Sequence, residues 1–168
     1  MDLKIANRKA LVTGSTAGIG FAIVEGLARE GAQVTLTGRT QGNVDSALAR
    51  LRKALPNANV EGVAADCATL AGAQAVFARV PEVDILINNL GIYERKPFFD
   101  IPDEDWLRLF EVNVMSGIRF SRHYAPPMVK RGWGRIQFVS SESGLHIPRE
   151  MVHYGMTKTA QLSISRGL

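Results

Sequence analysis

The chain has one cysteine, Cys67, in 168 residues, which excludes an intrachain disulfide and leaves no thiolate pair for a metal. Its three histidines, His123, His146 and His153, lack metal-ligand spacing and read as surface or pocket-rim residues. No apolar run approaches the ~20 residues that a membrane helix needs. The polar stretch at residues 1–9 leaves no room for the apolar core of a signal peptide. A cytoplasmic location with no membrane partner is therefore expected. Basic excess is slight: 20 Lys plus Arg against 16 Asp plus Glu give a net charge of +4. No basic stripe interleaves with aromatics, so nucleic acid is not an expected partner. Repeats, low-complexity tracts and interdomain linkers are also missing. With 46% hydrophobic residues, a single globular domain over residues 1–168 is expected.

Strand-like and helix-like segments alternate along the whole chain. Short apolar runs predict strands at 9–13, 33–37, 60–64, 83–88 and 135–140. Helical periodicity predicts helices at 19–30, 43–54, 70–79, 103–129 and from Tyr154 onward. Pro126-Pro127 should kink or interrupt the fourth helix, because proline removes a donor and crowds the preceding turn. Strands separated by helix-length segments imply parallel βαβ units, and hence an α/β doubly wound sheet.

Glycine and polar punctuation falls at one place in each unit. Gly14, Gly38-Arg39, Asp66, Asn88-Asn89 and Ser140-Ser141 each stand at or just past the C-terminal end of a predicted strand. Open α/β sheets bind ligands along that edge. The first strand runs into Gly14-Ser15-Thr16-Ala17-Gly18-Ile19-Gly20, and an amphipathic helix follows. Backbone N–H groups approach a pyrophosphate closely only where side chains are absent, and a helix N-terminus adds partial positive charge. The other reading is a tight turn that binds nothing.

After the second strand a dinucleotide site selective for NAD usually carries an acid, which binds the ribose 2′-hydroxyl. Here Gly38-Arg39-Thr40 follows, with no acid before Asp45. Arg39 can pair with a 2′-phosphate, which favours NADP over NAD; a solvated loop arginine is the plainer reading. Near the other end, Tyr154 and Lys158 stand at i and i+4 on a helix and share a face. A cation beside a phenol stabilises phenolate, which makes the pair an acid/base device. Trp106, Phe110, Asn113, Gly117, Phe120 and Tyr124 form one helical stripe, so Asn113 is expected to be buried with its amide satisfied.

In this order, Thr13-Gly-Ser-Thr-Ala-Gly-Ile-Gly20, Asp66, Asn88-Asn-Leu-Gly91, Asn113, Ser141, Tyr154 and Lys158 resemble the short-chain dehydrogenase/reductase family over essentially the whole chain. Leu90 departs from it, where alanine is usual. The resemblance implies a Rossmann-like sheet of order 3-2-1-4-5 and reversible hydride transfer between NADP or NAD and a small carbonyl or secondary alcohol. It implies cofactor contacts at Gly14, Ser15, Thr16, Gly18, Ile19, Gly20, Arg39, Asp66, Cys67, Asn88, Asn89, Gly91, Tyr154 and Lys158. Asp66 would meet the adenine amino group with the Cys67 backbone beside it, although Asp66 also reads as a helix N-cap. Asn88 to Gly91 would support the sheet and line the adenosine ribose.

The same resemblance makes Asn113, Ser141, Tyr154 and Lys158 catalytic. Ser141, thirteen residues before Tyr154, would fix the carbonyl, with Ser140 as backbone support. Tyr154 would exchange the proton, and Lys158 would tune it and bind the nicotinamide ribose. Asn113 would hold a water for proton relay or make a structural hydrogen bond. His153 is the next candidate base. Family members continue past the position of Leu168 into a further strand, a substrate-binding helical segment and a last strand. The expectation is either a truncated form of a longer enzyme or a short relative without catalysis. A non-catalytic nucleotide-binding or interaction subunit is the alternative. A homo-dimer or homo-tetramer is expected through the helices beginning near Asp103 and Tyr154, whose outer faces carry Met115, Ile118, Leu162 and Ile164.

Overall fold

Thr35 and Thr37 lie on one face of the second strand, and Val34 and Leu36 on the other, yet all four are buried. Helices cover both faces of the sheet. In the computed structural model, which describes residues 3–168, five parallel strands are ordered β3-β2-β1-β4-β5. They are β1 (Lys9–Val12), β2 (Gln33–Gly38), β3 (Val60–Ala64), β4 (Ile85–Asn88) and β5 (Arg135–Phe138). Ala10 is in register with Val34 on one side and Ile85 on the other, and Ile85 with Arg135. The fold is the α/β, Rossmann-like doubly wound sheet anticipated above.

Helices α1 (Gly18–Arg29) and α2 (Gln41–Ala54) cover one face. Val24, Ala28, Val44 and Leu51 pack there against Val12, Leu36 and Ile87. The other face holds α3 (Leu70–Arg79) and α5 (Ser116–Lys130). Val76, Phe120, Tyr124 and Met128 meet Leu11 and Leu86 there. Between β4 and α5 lie α4 (Asp103–Phe110) and a π-helical segment, Glu111–Met115. The last helix, α6 (Val152–Gly167), packs on α4, the π segment and β5.

Two expectations about the long fourth helix need correction. Pro126-Pro127 lie inside α5 without interrupting it. Each lacks the N–H that would bond the carbonyl four residues back, and the neighbouring turns carry the helix through them. The irregularity is the π segment, in which an extra residue widens the turn. This shifts the helical phase, so Leu109 is fully buried while Phe110 is 36% exposed. Asn113, Gly117, Phe120 and Tyr124 keep their buried positions.

Candidate active site

The five strand ends place the polar punctuation along one edge of the sheet, and the loop after β1 is built to leave its backbone bare. Gly14 and Gly18 have φ of +61° and +56°, a region in which side chains are strained. A Cβ on Gly20 would fall 2.4 Å from Asn89 Nδ2 and 2.8 Å from the Gly14 carbonyl oxygen. Ala17, the N-cap of α1, offers no capping side chain. The first N–H groups of α1 therefore lack a partner from that residue and are left for an anion.

Side chains behind the loop lock its shape. Asn89 Nδ2 donates to the carbonyl oxygens of Thr13 and Gly14, both at 2.9 Å. Thr13 Oγ1 accepts the N–H groups of Asn89 and Leu90 at 3.1 Å. Thr37 Oγ1 accepts the Gly14 N–H at 2.9 Å. Arg50 lies over the Phe21 ring at 3.8 Å and donates to the Thr16 carbonyl. Thr13 opens the glycine motif, but its bracing role and those of Thr37 and Arg50 were not anticipated, and the signal for the threonines is slight: a hydroxyl at the end of a buried strand.

A cleft of about 470 Å³ opens in front of this loop, with Gly14, Thr16, Arg39, Asp66 and Gly91 among its walls. Arg39 is exposed at one end, beside Asn43. Asp66 is also exposed, and its Oδ1 accepts the Ala68 N–H at 3.1 Å. The N-cap of α3 is Thr69, not Asp66, so the carboxylate is not needed for capping. These residues fit a dinucleotide: a bare anion-binding turn, a cation beyond β2 and an acceptor beyond β3.

Three expected cofactor residues do not present side chains to that cleft. Ser15 is fully buried; its hydroxyl donates to the Val12 carbonyl and accepts the Thr37 N–H, and its own N–H bonds Thr37. Asn88 is 3% exposed and turns to α5, where its Nδ2 donates to Ser121 Oγ. Cys67 is buried against Thr37 Oγ1, and burial pushes its thiol up to about 11. Any ligand contact by Cys67 is left to its backbone. Ile19 stands 67% exposed on the first turn of α1.

Gly91 also lines that cleft, and Lys158 and Asn113 converge on it. A Cβ on Gly91 would lie 3.5 Å from Asn113 Oδ1 and 3.6 Å from Lys158 Nζ. Lys158 is 4% exposed, and burial alone lowers its ammonium from 10.5 to about 8. Its Nζ donates to the Val139 carbonyl at 2.8 Å and to Gln161 Oε1 at 3.1 Å. It stands 5.6 Å from the centre of the Tyr154 ring. Tyr93, exposed on the loop after β4, meets that ring edge-on with centroids 6.2 Å apart.

Asn113 clamps the same loop: its Oδ1 accepts the Ile92 N–H at 2.7 Å and its Nδ2 donates to the Ile92 carbonyl at 2.8 Å. Nδ2 also reaches Thr157 Oγ1, which donates to the Tyr154 carbonyl. Ser141 Oγ accepts the Ser143 N–H, which leaves its own proton to donate. Ser140 Oγ donates to the Lys158 carbonyl and ties the end of β5 to α6. Lys96 bridges Glu94 and Asp105, and Arg108 pairs with Glu94, which holds the loop onto α4.

The histidine expectations also need correction. His153 is fully buried edge-on to Trp106, and burial lowers its basicity. Neither of its ring nitrogens has a hydrogen-bond partner. It faces away from the cleft because successive helical residues diverge by about 100°. His123 stacks on Phe77 at 4.0 Å; His146 is exposed as expected.

A parallel sheet of this order, with this loop and this Tyr/Lys helix, is the architecture of one large class of nucleotide-binding enzymes. Residues 8–168 match the model of the short chain dehydrogenase family, and the chain belongs to it. It is 47% identical over 168 residues to an uncharacterized oxidoreductase, YvaG, of Bacillus subtilis (strain 168), covering 100% of this chain and 64% of that protein. It thus spans less than two thirds of that relative. Human dehydrogenase/reductase SDR family member 4 is 33% identical over 172 residues, covering 98% of this chain and 60% of the relative.

Among solved structures, L-sorbose reductase from Gluconobacter frateurii, complexed with NADPH and L-sorbose, superposes with a TM-score of 0.92 at 33% identity. The match covers 99% of this chain and 65% of that one. A short-chain dehydrogenase/reductase from Burkholderia phymatum, in complex with NAD, gives 0.89 at 28% identity, covering 98% and 60%.

Proposed function

We propose that this chain carries the nucleotide site and the proton-transfer residues of an oxidoreductase that uses NADP, or less favourably NAD, on a carbonyl or secondary alcohol. The observation that carries the reading is the convergence of Lys158 Nζ and Asn113 Oδ1 on Gly91, a wall residue of the cleft that opens at the bare glycine turn, with the Tyr154 ring beside Lys158. A bound nicotinamide would supply or accept the hydride. Gly14, Thr16 and the α1 N-terminus would hold its phosphates, Arg39 a 2′-phosphate, and Asp66 the adenine.

In the reducing direction Tyr154 donates its phenolic proton to the carbonyl oxygen as hydride arrives at carbon. Lys158 keeps positive charge beside the ring and so favours the phenolate that forms. Ser141 donates to the same oxygen as negative charge grows there. Asn113 holds the loop bearing Tyr93 and completes the proton path to Lys158. A cytoplasmic location and a homo-dimer or homo-tetramer complete the proposal. NADPH oxidation over a panel of ketones and aldehydes tests it. The expected result is turnover that falls at least a hundredfold in Tyr154→Phe, with the far-UV spectrum unchanged. Near-normal turnover by that variant would move the acid/base role elsewhere.

A further inference from the structure

The buried residues of α6 are His153, Gly155, Thr157, Lys158 and Gln161, and none is aliphatic. A helix buried to cover a core would present leucine and valine there. Gln161 is the least expected of them: 1% exposed, uncharged and absent from every motif of the sequence. Burying a primary amide costs stability unless both of its ends are satisfied. Both are. Gln161 Oε1 accepts from Lys158 Nζ at 3.1 Å, and Gln161 Nε2 donates to the Asn113 carbonyl oxygen at 2.7 Å.

The Asn113 carbonyl lies within the π segment. Ser116 N–H bonds the Glu111 carbonyl, five residues back, and the Val112 carbonyl takes the Ser116 hydroxyl instead. One residue on, the Asn113 carbonyl takes Gln161 Nε2 from α6. An ordinary helix would direct those carbonyls along its own axis to its own N–H groups. The widened turn and the buried glutamine therefore belong to one arrangement.

We propose that Gln161 is a positioning residue, joining the Lys158 ammonium and the Asn113 backbone carbonyl into one hydrogen-bonded unit and so setting where the remaining Lys158 proton points. An ammonium has three N–H donors. The Val139 carbonyl and Gln161 take two, and the third is left on a nitrogen whose further neighbours are the Gly91 backbone and the Tyr154 ring. Burial is what lowers the Lys158 midpoint, and the groups that accept from its Nζ, the Val139 carbonyl and the Gln161 amide, are both neutral, with Tyr154 the titratable side chain beside it. The catalytic meaning of this unit rests on the functional reading above, but the unit itself is measurable without cofactor or substrate.

The test is an NMR titration of the whole chain with lysines labelled at 13Cε, the Lys158 signal being identified by its loss in Lys158→Met. Gln161→Leu removes the acceptor and should lower the Lys158 midpoint by about one pH unit. Gln161→Glu replaces it with a carboxylate and should raise the midpoint by about as much. A residue that merely fills space would leave the Gln161→Leu titration where it is, and an unmoved midpoint in either variant overturns the inference. Should Gln161→Leu fail to fold, Gln161→Met, which keeps the length and removes the amide, decides instead: a lowered midpoint supports the inference, and an unchanged or raised one overturns it. A midpoint that moves in a protein inactive toward every carbonyl supports the hold on Lys158 and overturns the hydride-transfer reading, so the two failures are distinct.

Discussion

Lys158→Met should change the pH dependence of stability in a way no surface lysine would. The wild-type ammonium is buried, and its midpoint falls from 10.5 to about 8 for that reason alone. Below pH 8 both folded and unfolded chains hold the proton, and the full burial penalty is present. Between 8 and 10.5 the unfolded chain binds a proton that the folded chain has released, so wild-type stability rises with pH. At about 1.4 kcal/mol per pH unit the gap amounts to about 3 kcal/mol.

Methionine carries no such term. It leaves the Val139 carbonyl and Gln161 Oε1 without their donor, a cost of about 1–3 kcal/mol for each buried acceptor. That cost does not vary with pH. At pH 7 the variant should therefore be close to the wild type in stability, and by pH 10.5 it should be weaker by about a further 3 kcal/mol. Cys67 acts in the opposite sense. Its thiol is raised to about 11, so its contribution fades as pH climbs from 9.0 toward that value. It does so equally in both proteins and cancels in the difference. Urea melts of both proteins at pH 7 and 10.5, fitted as two-state transitions, measure that difference directly. An identical gap at the two pH values would refute the account of Lys158 as a charge held at a cost.

Arg39→Ala should weaken NADPH binding by about 1.5–3 kcal/mol, tenfold or more, and leave NADH nearly unchanged; equal losses in a fluorescence titration would remove the 2′-phosphate assignment. Gly20→Ala should destabilise the chain by about 1–3 kcal/mol, because the added carbon overlaps Asn89 Nδ2 and the Gly14 carbonyl; an unchanged melting temperature would contradict it. An apolar groove between α5 and α6, lined by Ile118, Val129, Ile164 and Leu168, should close on a second copy of the chain. Sedimentation at tens of micromolar should then give at least a dimer, and a monodisperse monomer would count against this face.

The alternation of apolar runs with helical periods was enough to read five strands, their order by family likeness, and the edge of the sheet where glycine and polar residues gather. Those features are local or repeat along the chain: glycine where φ must be positive, as at Gly14 and Gly18, and Tyr154 and Lys158 one helical turn apart. The direction of side chains within the site was not legible. Ser15 and Asn88 lie within cofactor motifs, yet each is held by partners far away in sequence, Thr37 and Ser121. His153 looked available because it adjoins Tyr154, but the packing of α6 against Trp106 turned it inward.

The π turn at Glu111–Met115 was hidden as well, since Asn113 fits an unbroken helical stripe in sequence. Its position is tied to groups on other elements: Ile92 after β4 and Gln161 on α6. By itself, then, the sequence determined the elements, the bare glycine turn and the pairing of Tyr154 with Lys158 on one helix, because backbone conformation and helical spacing are properties of neighbouring residues. Only the tertiary structure decided which of those side chains face the cleft, how Lys158 is held without a carboxylate, and which carbonyl Gln161 meets. Hydrogen bonds between residues 48 positions apart exist only once the elements have packed, and burial, which sets their strength, is a property of the whole fold.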